Sequence, residues 1–258
     1  MKKNEKRKIA VVTGTGRLNG IGYAICSELA KQNFDIFFTY WSPYDRQMPW
    51  ELAPDEPLQI QENLVQLGVG CACMELDLGV ENASEILFNE VEKRMGRPTV
   101  LVNNATYSTQ TGIDNFSATE LDRHYEVNLK ATTLLVVEFV RRFKFKAGGR
   151  IINLTSGQSL GEMSDEIAYA VTKGAVETLT KTISQKIAEK GITINAVNPG
   201  PTDTGWMDEA LTALILRKSP MGRVGTPRDA ARLIAFLASE EGGWITGQII
   251  HSEGGFTR

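Results

Sequence analysis

Residues 9–22 read Ile9-Ala10-Val11-Val12-Thr13-Gly14-Thr15-Gly16-Arg17-Leu18-Asn19-Gly20-Ile21-Gly22. A short apolar β-type run passes through a glycine-rich turn into helical spacing. Glycines let a backbone turn sharply and approach a pyrophosphate, and the helix start offers that group free N–H donors and a positive dipole end. Similar units follow along the chain. Apolar runs at 9–12, 36–40, 69–76, 99–102, 151–154, 192–197 and 248–251 predict seven strands. Helical spacing is found at 22–32, 84–95, 119–142, 168–190 and 228–239. Strands that alternate with helices pair in parallel through right-handed crossovers and are covered on both faces. The expectation is an α/β chain with a doubly wound Rossmann fold and a seven-stranded parallel sheet. No Pro/Gly/Ser-rich linker divides it, so residues 1–258 are expected to form one domain. Ligands of such sheets bind beyond the carboxyl ends of the strands.

Composition narrows the class of partner. With 42% hydrophobic and 23% charged residues the chain matches globular usage and argues against disorder, fibres and membrane spans. A formal net charge of -3 gives no broad positive field for a phosphate backbone, so a small molecule is expected rather than nucleic acid. Residues 1–8 are basic and run at once into the first strand, without the apolar stretch of a signal peptide, and are expected to be the solvated tail of a cytoplasmic protein. Cys26, Cys71 and Cys73 are odd in number and form no Cys-x-x-Cys pair, which predicts reduced, buried thiols and no metal. His124 and His251 stand too far apart in sequence to suggest a Ser/His/Asp set.

Two places carry chemistry. The second strand has Asp35 before its apolar stretch and no carboxylate at its end, where an acid would hold the adenosine ribose and exclude a 2′-phosphate. Its absence favours NADP(H) over NAD(H), with Arg17 as the candidate partner of the phosphate and Arg46 as a second. Farther on, Tyr169 and Lys173 are four residues apart in a helical stretch, which puts phenol and ammonium on one face, one turn apart. A phenol titrates near roughly 10, and a fixed cation favours phenolate, moving it toward useful acid/base range. Ser156, at the end of the fifth strand, precedes Tyr169 by thirteen residues. Segments 41–57 and 202–225 look irregular, and the second is expected to be a substrate lid.

The glycine turn, Asn103-Asn104-Ala105, Asn128, Ser156, Tyr169 with Lys173, and Asn198-Pro199-Gly200 occur in the order and spacing of short-chain dehydrogenases/reductases, which the chain resembles over nearly its whole length. Its last part, Gly222-Arg223-Val224-Gly225-Thr226-Pro227 and Ile245-Thr246-Gly247-Gln248, is similar to 3-oxoacyl-(acyl-carrier-protein) reductases. The resemblance implies that Ser156 binds a substrate carbonyl, Tyr169 donates the proton, Lys173 holds the nicotinamide ribose and lowers the tyrosine pKa, and Asn128 supports a water relay. It also implies cofactor contacts at Gly14, Gly16, Arg17, Asn19, Gly20 and Ile21, at Asp77 and Leu78 for adenine, and at Asn104 and Ala105 along the groove. Pro199, Gly200, Thr202 and Thr204 match the segment meeting carboxamide and phosphates.

There are two departures from the pattern. The turn is two residues longer than the family's Thr-Gly-x-x-x-Gly-x-Gly, as in the related enoyl-(acyl-carrier-protein) reductases. Those enzymes place six residues between tyrosine and lysine; here there are three, with Ser156 present, which favours carbonyl reduction. Thr106 stands where the family usually has glycine. The expected substrate is a 3-oxoacyl thioester of fatty-acid synthesis, with a sugar, a quinone or another small ketone or alcohol as the alternative. An NADP-sensing protein without turnover would typically lack the tyrosine or lysine. An acyl carrier protein would need a basic landing site, for which Arg141, Arg142, Lys144, Lys146 and Lys190 are candidates, and Trp206 and Met207 suggest an apolar pocket wall. The family usually forms homotetramers through the helices at 119–142 and 168–190.

Overall fold

The computed structural model describes residues 7–50 and 53–257; of the tail expected at 1–8, residues 1–6 lie outside the described residues, and Arg7 and Lys8 are exposed. Among the described residues the strands are β1 (Ile9–Val12), β2 (Asp35–Tyr40), β3 (Cys71–Glu75), β4 (Val100–Asn103), β5 (Gly149–Leu154), β6 (Ile192–Asn198) and β7 (Ile249–His251). They form one parallel sheet in the order β3-β2-β1-β4-β5-β6-β7. The chain runs outward from β1 to β3, then returns to lay β4 on the other side of β1. A crevice opens at that reversal, beyond the carboxyl ends of the strands.

The sheet is buried on both faces because its strands alternate between two apolar sets. Val11 pairs with Phe37 and Leu101, Leu101 with Ile151, and Ile151 with Ile194, a row that faces α4 (Ala83–Arg94) and α6 (Thr132–Arg142). One residue along, Val12, Phe38, Val102 and Ile152 face α1 (Ile21–Lys31) and α9 (Pro227–Ala238). Period-2 alternation that is apolar on both sides is what a central parallel strand requires. The edge strand β3 is less covered, so Cys26 is buried as expected while Cys71 and Cys73 are only half-buried.

Several boundaries correct the sequence reading. A helix, α3 (Glu56–Gln66), connects β2 to β3 where none was expected; it buries Pro57, Ile60 and Leu64 and leaves Leu58 and Val65 exposed among polar residues. The segment 41–57 also carries the short helix α2 (Ser42–Asp45). The helix expected over 119–142 is divided: α5 (Ala118–His124) passes through a π-helical stretch, Tyr125–Ala131, into α6. Apolar spacing cannot separate the two windings, which differ by one residue in hydrogen-bond register. After α7 (Ile167–Ala188) and β6, the segment 202–225, expected to be a lid, contains α8 (Glu209–Arg217), bracketed by Gly205 and Gly222 at φ +87° and +68°. No helix of the described residues is long and apolar enough to cross a membrane.

Phe139 of α6 stacks at 6.2 Å from Phe88 of α4 and 5.8 Å from Phe143, and is 2% exposed. Phe139→Ala is expected to cost about 3–5 kcal/mol by losing buried area and leaving a cavity, read from urea denaturation.

Candidate active site

A cleft of about 1190 Å³ opens at the carboxyl ends of β1, β4, β5 and β6. Its floor is the glycine turn. Gly14 has φ +72°, and a Cβ there would lie 2.5 Å from Ala105 Cα, so the turn sits directly on the chain leaving β4. Asn104 ties the two together, its amide donating to the carbonyls of Thr13 (2.9 Å) and Gly14 (2.8 Å), while Thr13 Oγ1 accepts from the backbone of Asn104 and Ala105. At Gly22 a Cβ would meet Thr15 Oγ1 at 2.6 Å and the Gly14 carbonyl at 2.8 Å, which lets α1 begin against the turn. Gly20 caps α1 with no side-chain bond to its first amides. A backbone cradle with a bare helix start fits the pyrophosphate of a dinucleotide.

The other expected contacts surround this floor. Gly16, Arg17, Gly20 and Ile21 line the cleft, and Asp77 and Leu78 line it beyond β3, with Asp77 Oδ1 accepting from Gly79 N at 2.8 Å. Pro199, Gly200, Thr202 and Thr204 line it beyond β6. Gly200 is at φ +66°, where a Cβ would collide with Glu253, and its amide donates to Asn198 Oδ1 at 2.9 Å. Asn19 does not line the cleft; it is exposed, its amide facing Gly205. Arg46 is exposed and does not line it either.

Ser156 and the half-buried Tyr169 line the same cleft, and Lys173 lies one helical turn behind Tyr169 with its Nζ 5.5 Å from the phenol ring. Lys173 is buried and donates to the Leu154 carbonyl at 2.9 Å. Burial pulls its pKa from the ordinary 10.5 down to about 8. Below β5, Thr155 Oγ1 and Gln158 Nε2 reach Glu177 Oε1 at 3.1 and 2.6 Å, bracing the chain on both sides of Ser156 against α7. Asn128, in the π-helical stretch, is buried behind the cleft. Its Oδ1 accepts from Tyr107 N (2.7 Å) and Thr106 Oγ1 (3.1 Å), and its Nδ2 donates to the Tyr107 carbonyl (2.9 Å) and Thr172 Oγ1 (3.2 Å). The Asn128 side chain therefore clamps the segment after β4 to α7, and Thr106, the departure noted above, is part of that clamp. A hydroxyl and a phenol facing one cavity, with an ammonium behind the phenol, can polarise a carbonyl and exchange its proton.

Sequence reading missed the segment after β2, which folds across the cleft. Tyr44 receives a bond from Ser108 N at 3.3 Å and packs 5.5 Å from Tyr107 and 6.5 Å from Trp50. Burial pushes its phenol pKa up. Trp50 stacks on the Arg17 guanidinium at 3.8 Å, which also donates to the Thr204 carbonyl at 2.8 Å and lies 3.9 Å from the Asp45 carboxylate. The proline- and aromatic-rich composition of 41–57 was the available signal, but nothing in its spacing fixes where it folds. The basic landing site is not at the cleft: Arg141 and Arg142 in the last turn of α6, Lys144 and Lys146 after it, and Lys190 after α7 lead into the amino ends of β5 and β6, the far end of the sheet from the cleft. Among the described residues, the cations that line the cleft are Arg17, Arg123 and Lys218. Trp206 lines it, but Met207 does not. Among the described residues no group of three or more His, Cys, Asp or Glu side chains is placed to hold a metal.

A family model described as Enoyl-(Acyl carrier protein) reductase matches residues 14–257. An uncharacterized oxidoreductase of Bacillus subtilis, YjdA, is 46% identical over 99% of both chains. The chain belongs to the short-chain dehydrogenase/reductase family, and is an NAD(P)-dependent oxidoreductase. It is also 31% identical to the 3-oxoacyl-[acyl-carrier-protein] reductase FabG of Staphylococcus epidermidis, over 96% of this chain and 98% of that one. The crystal structure of landomycin C-6 ketoreductase LanV with bound NADP and rabelomycin superposes with a TM-score of 0.83 at 30% identity, over 96% of this chain and 95% of that one.

The buried ammonium makes stability depend on pH. Unfolded, Lys173 keeps its proton to about 10.5; folded, only to about 8. Between those values the unfolded state binds more protons, so stability contributed at this site rises with pH, and below 8 the cost of the buried charge is complete. Lys173→Met removes that dependence. The Tm difference, variant minus wild type, is expected to be most positive below pH 8 and to shrink steadily toward pH 10; a difference flat with pH would refute it.

Proposed function

We propose that the protein is an NADPH-dependent carbonyl reductase whose substrate is a ketone with an apolar flank, a 3-oxoacyl thioester first among them. The observation that carries this reading is the convergence of Ser156 and Tyr169 on one cleft with the glycine turn, with Lys173 one turn behind. When bound, the nicotinamide supplies a hydride. The chain's own residues supply the rest. Ser156 donates to the carbonyl oxygen and orients it; Tyr169 holds the proton that the oxygen receives at its hydroxyl. Lys173 presents a cation behind the phenol and a donor for the nicotinamide ribose. Asn128 positions the segment at 106–107 against α7. Gly14, Gly20, Ile21, Asn104, Ala105, Pro199, Gly200, Thr202 and Thr204 cradle the dinucleotide, with Asp77 and Leu78 at its adenine end.

The 2′-phosphate is assigned to Arg17, a half-buried guanidinium in the cleft; β2 ends in Tyr40 without a carboxylate. The lid helix α8 turns Leu211, Leu214 and Ile215 toward the cleft, beside Met163, Trp206 and Phe256. Such a wall suits an acyl chain or a ring ketone such as a quinone better than a sugar. A homotetramer is proposed through α5 to α7, supported by exposed Leu121, Tyr125, Leu134 and Val171 on those helices and the π-helical stretch between them; a monomeric mass by light scattering would remove it.

NADPH and NADH oxidation at 340 nm with acetoacetyl-CoA and with a quinone, in wild type and Tyr169→Phe, tests the reaction. Turnover with NADPH should fall on the order of 10²–10⁴-fold in the variant, the size of a lost general acid, with NADPH binding retained. Activity on the quinone alone would move the substrate to ring ketones. Tight NADPH binding with no turnover on any carbonyl or alcohol would replace the enzyme reading with that of a cofactor sensor.

A further inference from the structure

Arg17 sits between two kinds of partner. Its guanidinium donates to the Thr204 carbonyl, which leaves most of its five donors for another acceptor. The anions nearby are Asp45, at 3.9 Å and without hydrogen-bond geometry, and Glu56, whose Oε1 is already engaged by Leu18 N at 2.5 Å. Asp45 comes from the segment folded across the cleft and is pressed on Gly16, where any Cβ would collide with its carboxylate. Arg17 and Asp45 are each only 14% exposed, and the Trp50 ring covers the guanidinium at 3.8 Å. A carboxylate from the protein thus faces the cation that a 2′-phosphate would need, on the glycine turn along which a dinucleotide would lie.

We infer that Asp45 is a specificity-determining residue, an internal stand-in that competes with the cofactor 2′-phosphate for Arg17. This rests on the NADPH reading above. A 2′-phosphate brings close to two negative charges, so it cannot share the half-buried guanidinium with Asp45 and Glu56 without strong repulsion. Glu56 is held by Leu18 N and by its place in the first turn of α3. Asp45 is the carboxylate that moves, and it leaves with the segment that carries it. The phosphate then gains the charge-assisted, bidentate contact that Asp45 does not make. A cofactor without the 2′-phosphate leaves the Arg17–Asp45 pair in place, so the carboxylate tunes the ratio of the two affinities and not binding in general.

Isothermal titration of NADPH and NADH into wild type, Asp45→Asn, Arg17→Gln and the double variant tests this, with Asp45→Ser in reserve should the amide not fold. Asp45→Asn is expected to raise the NADPH-to-NADH affinity ratio about tenfold, Arg17→Gln to bring it near one, and the Asp45→Asn effect to vanish in the Arg17→Gln background. Titrations of 2′,5′-ADP against 5′-AMP should repeat the pattern without the nicotinamide. A ratio changed less than twofold by Asp45→Asn, or an unaltered effect in the Arg17→Gln background, overturns the inference. So does a loss of NADH affinity, which would make Asp45 a ribose acceptor. If wild type prefers NADPH, Arg17→Gln abolishes the preference and Asp45→Asn is silent, only the inference falls. If wild type shows no preference and Arg17→Gln changes nothing, the NADPH reading falls with it.

Discussion

The contact between Gly14 and the backbone of Ala105 is the constraint on which the open end of the molecule depends. β1 and β4 are neighbours in the sheet although residues 13–99 lie between them in the chain. Bringing the turn after β1 onto the strand exit of β4 requires a residue at positive φ with no Cβ, and a side chain there would have to displace backbone rather than another side chain. Thr13 and Asn104 then satisfy the polar groups that this close approach buries. The floor of the cleft is consequently made of peptide groups fixed by the sheet, and it would offer a pyrophosphate backbone N–H donors in place of a charged side chain.

A second layer of polar contacts holds the reacting end. Asn103 donates to Asn153 Oδ1 at 2.8 Å across the β4–β5 pair, and Asn153 donates to Thr180 of α7 at 3.0 Å. With Thr155 on Glu177 and Lys173 on the Leu154 carbonyl, the carboxyl end of β5 and the residue after it are bonded to one stretch of α7, from Lys173 to Thr180. Such bonds are directional where apolar packing is not, and they fix the rotation of α7 about its axis. That rotation decides whether Tyr169 faces the cleft and Lys173 the interior. The depressed pKa of Lys173 follows from the same arrangement, since the helix buries an ammonium on the side away from solvent.

Much of this was legible in the sequence, for physical reasons. Central strands buried on both faces are continuous apolar runs, so β1, β5 and β6 were readable to within two residues. The glycine turn and the Tyr169/Lys173 spacing encode local backbone geometry and helical period, which survive any tertiary context. What was not legible depends on long-range placement. α3 buries only Pro57, Ile60 and Leu64, and its other apolar residues, Leu58 and Val65, are exposed, so no single stripe announces a helix. Asp45 lies five residues past the end of β2, and its arrival at Gly16 depends on the course of a segment whose composition predicted only irregularity. The carrier landing site failed for a topological reason: helices of this fold run back to the amino ends of the strands, so charges that follow them are carried away from the cleft.

The π-helical stretch imposes a rule on chain length. An α-helix advances about 100° per residue, so an extra residue in ordinary winding would turn everything after it by that angle. A π turn is wider and holds one more residue than an α turn, so the extra residue is taken up locally and Leu135, Val136 and Phe139 stay buried on one face. Deleting one residue from Tyr125–Ala131 would let the stretch return to ordinary winding with the core of α6 still in register. What such a deletion removes is the placement of Asn128, whose side chain reaches Tyr107 and Thr172 from within the wide turn. The spare residue is kept by the clamp it carries, and the packing of α6 tolerates either length.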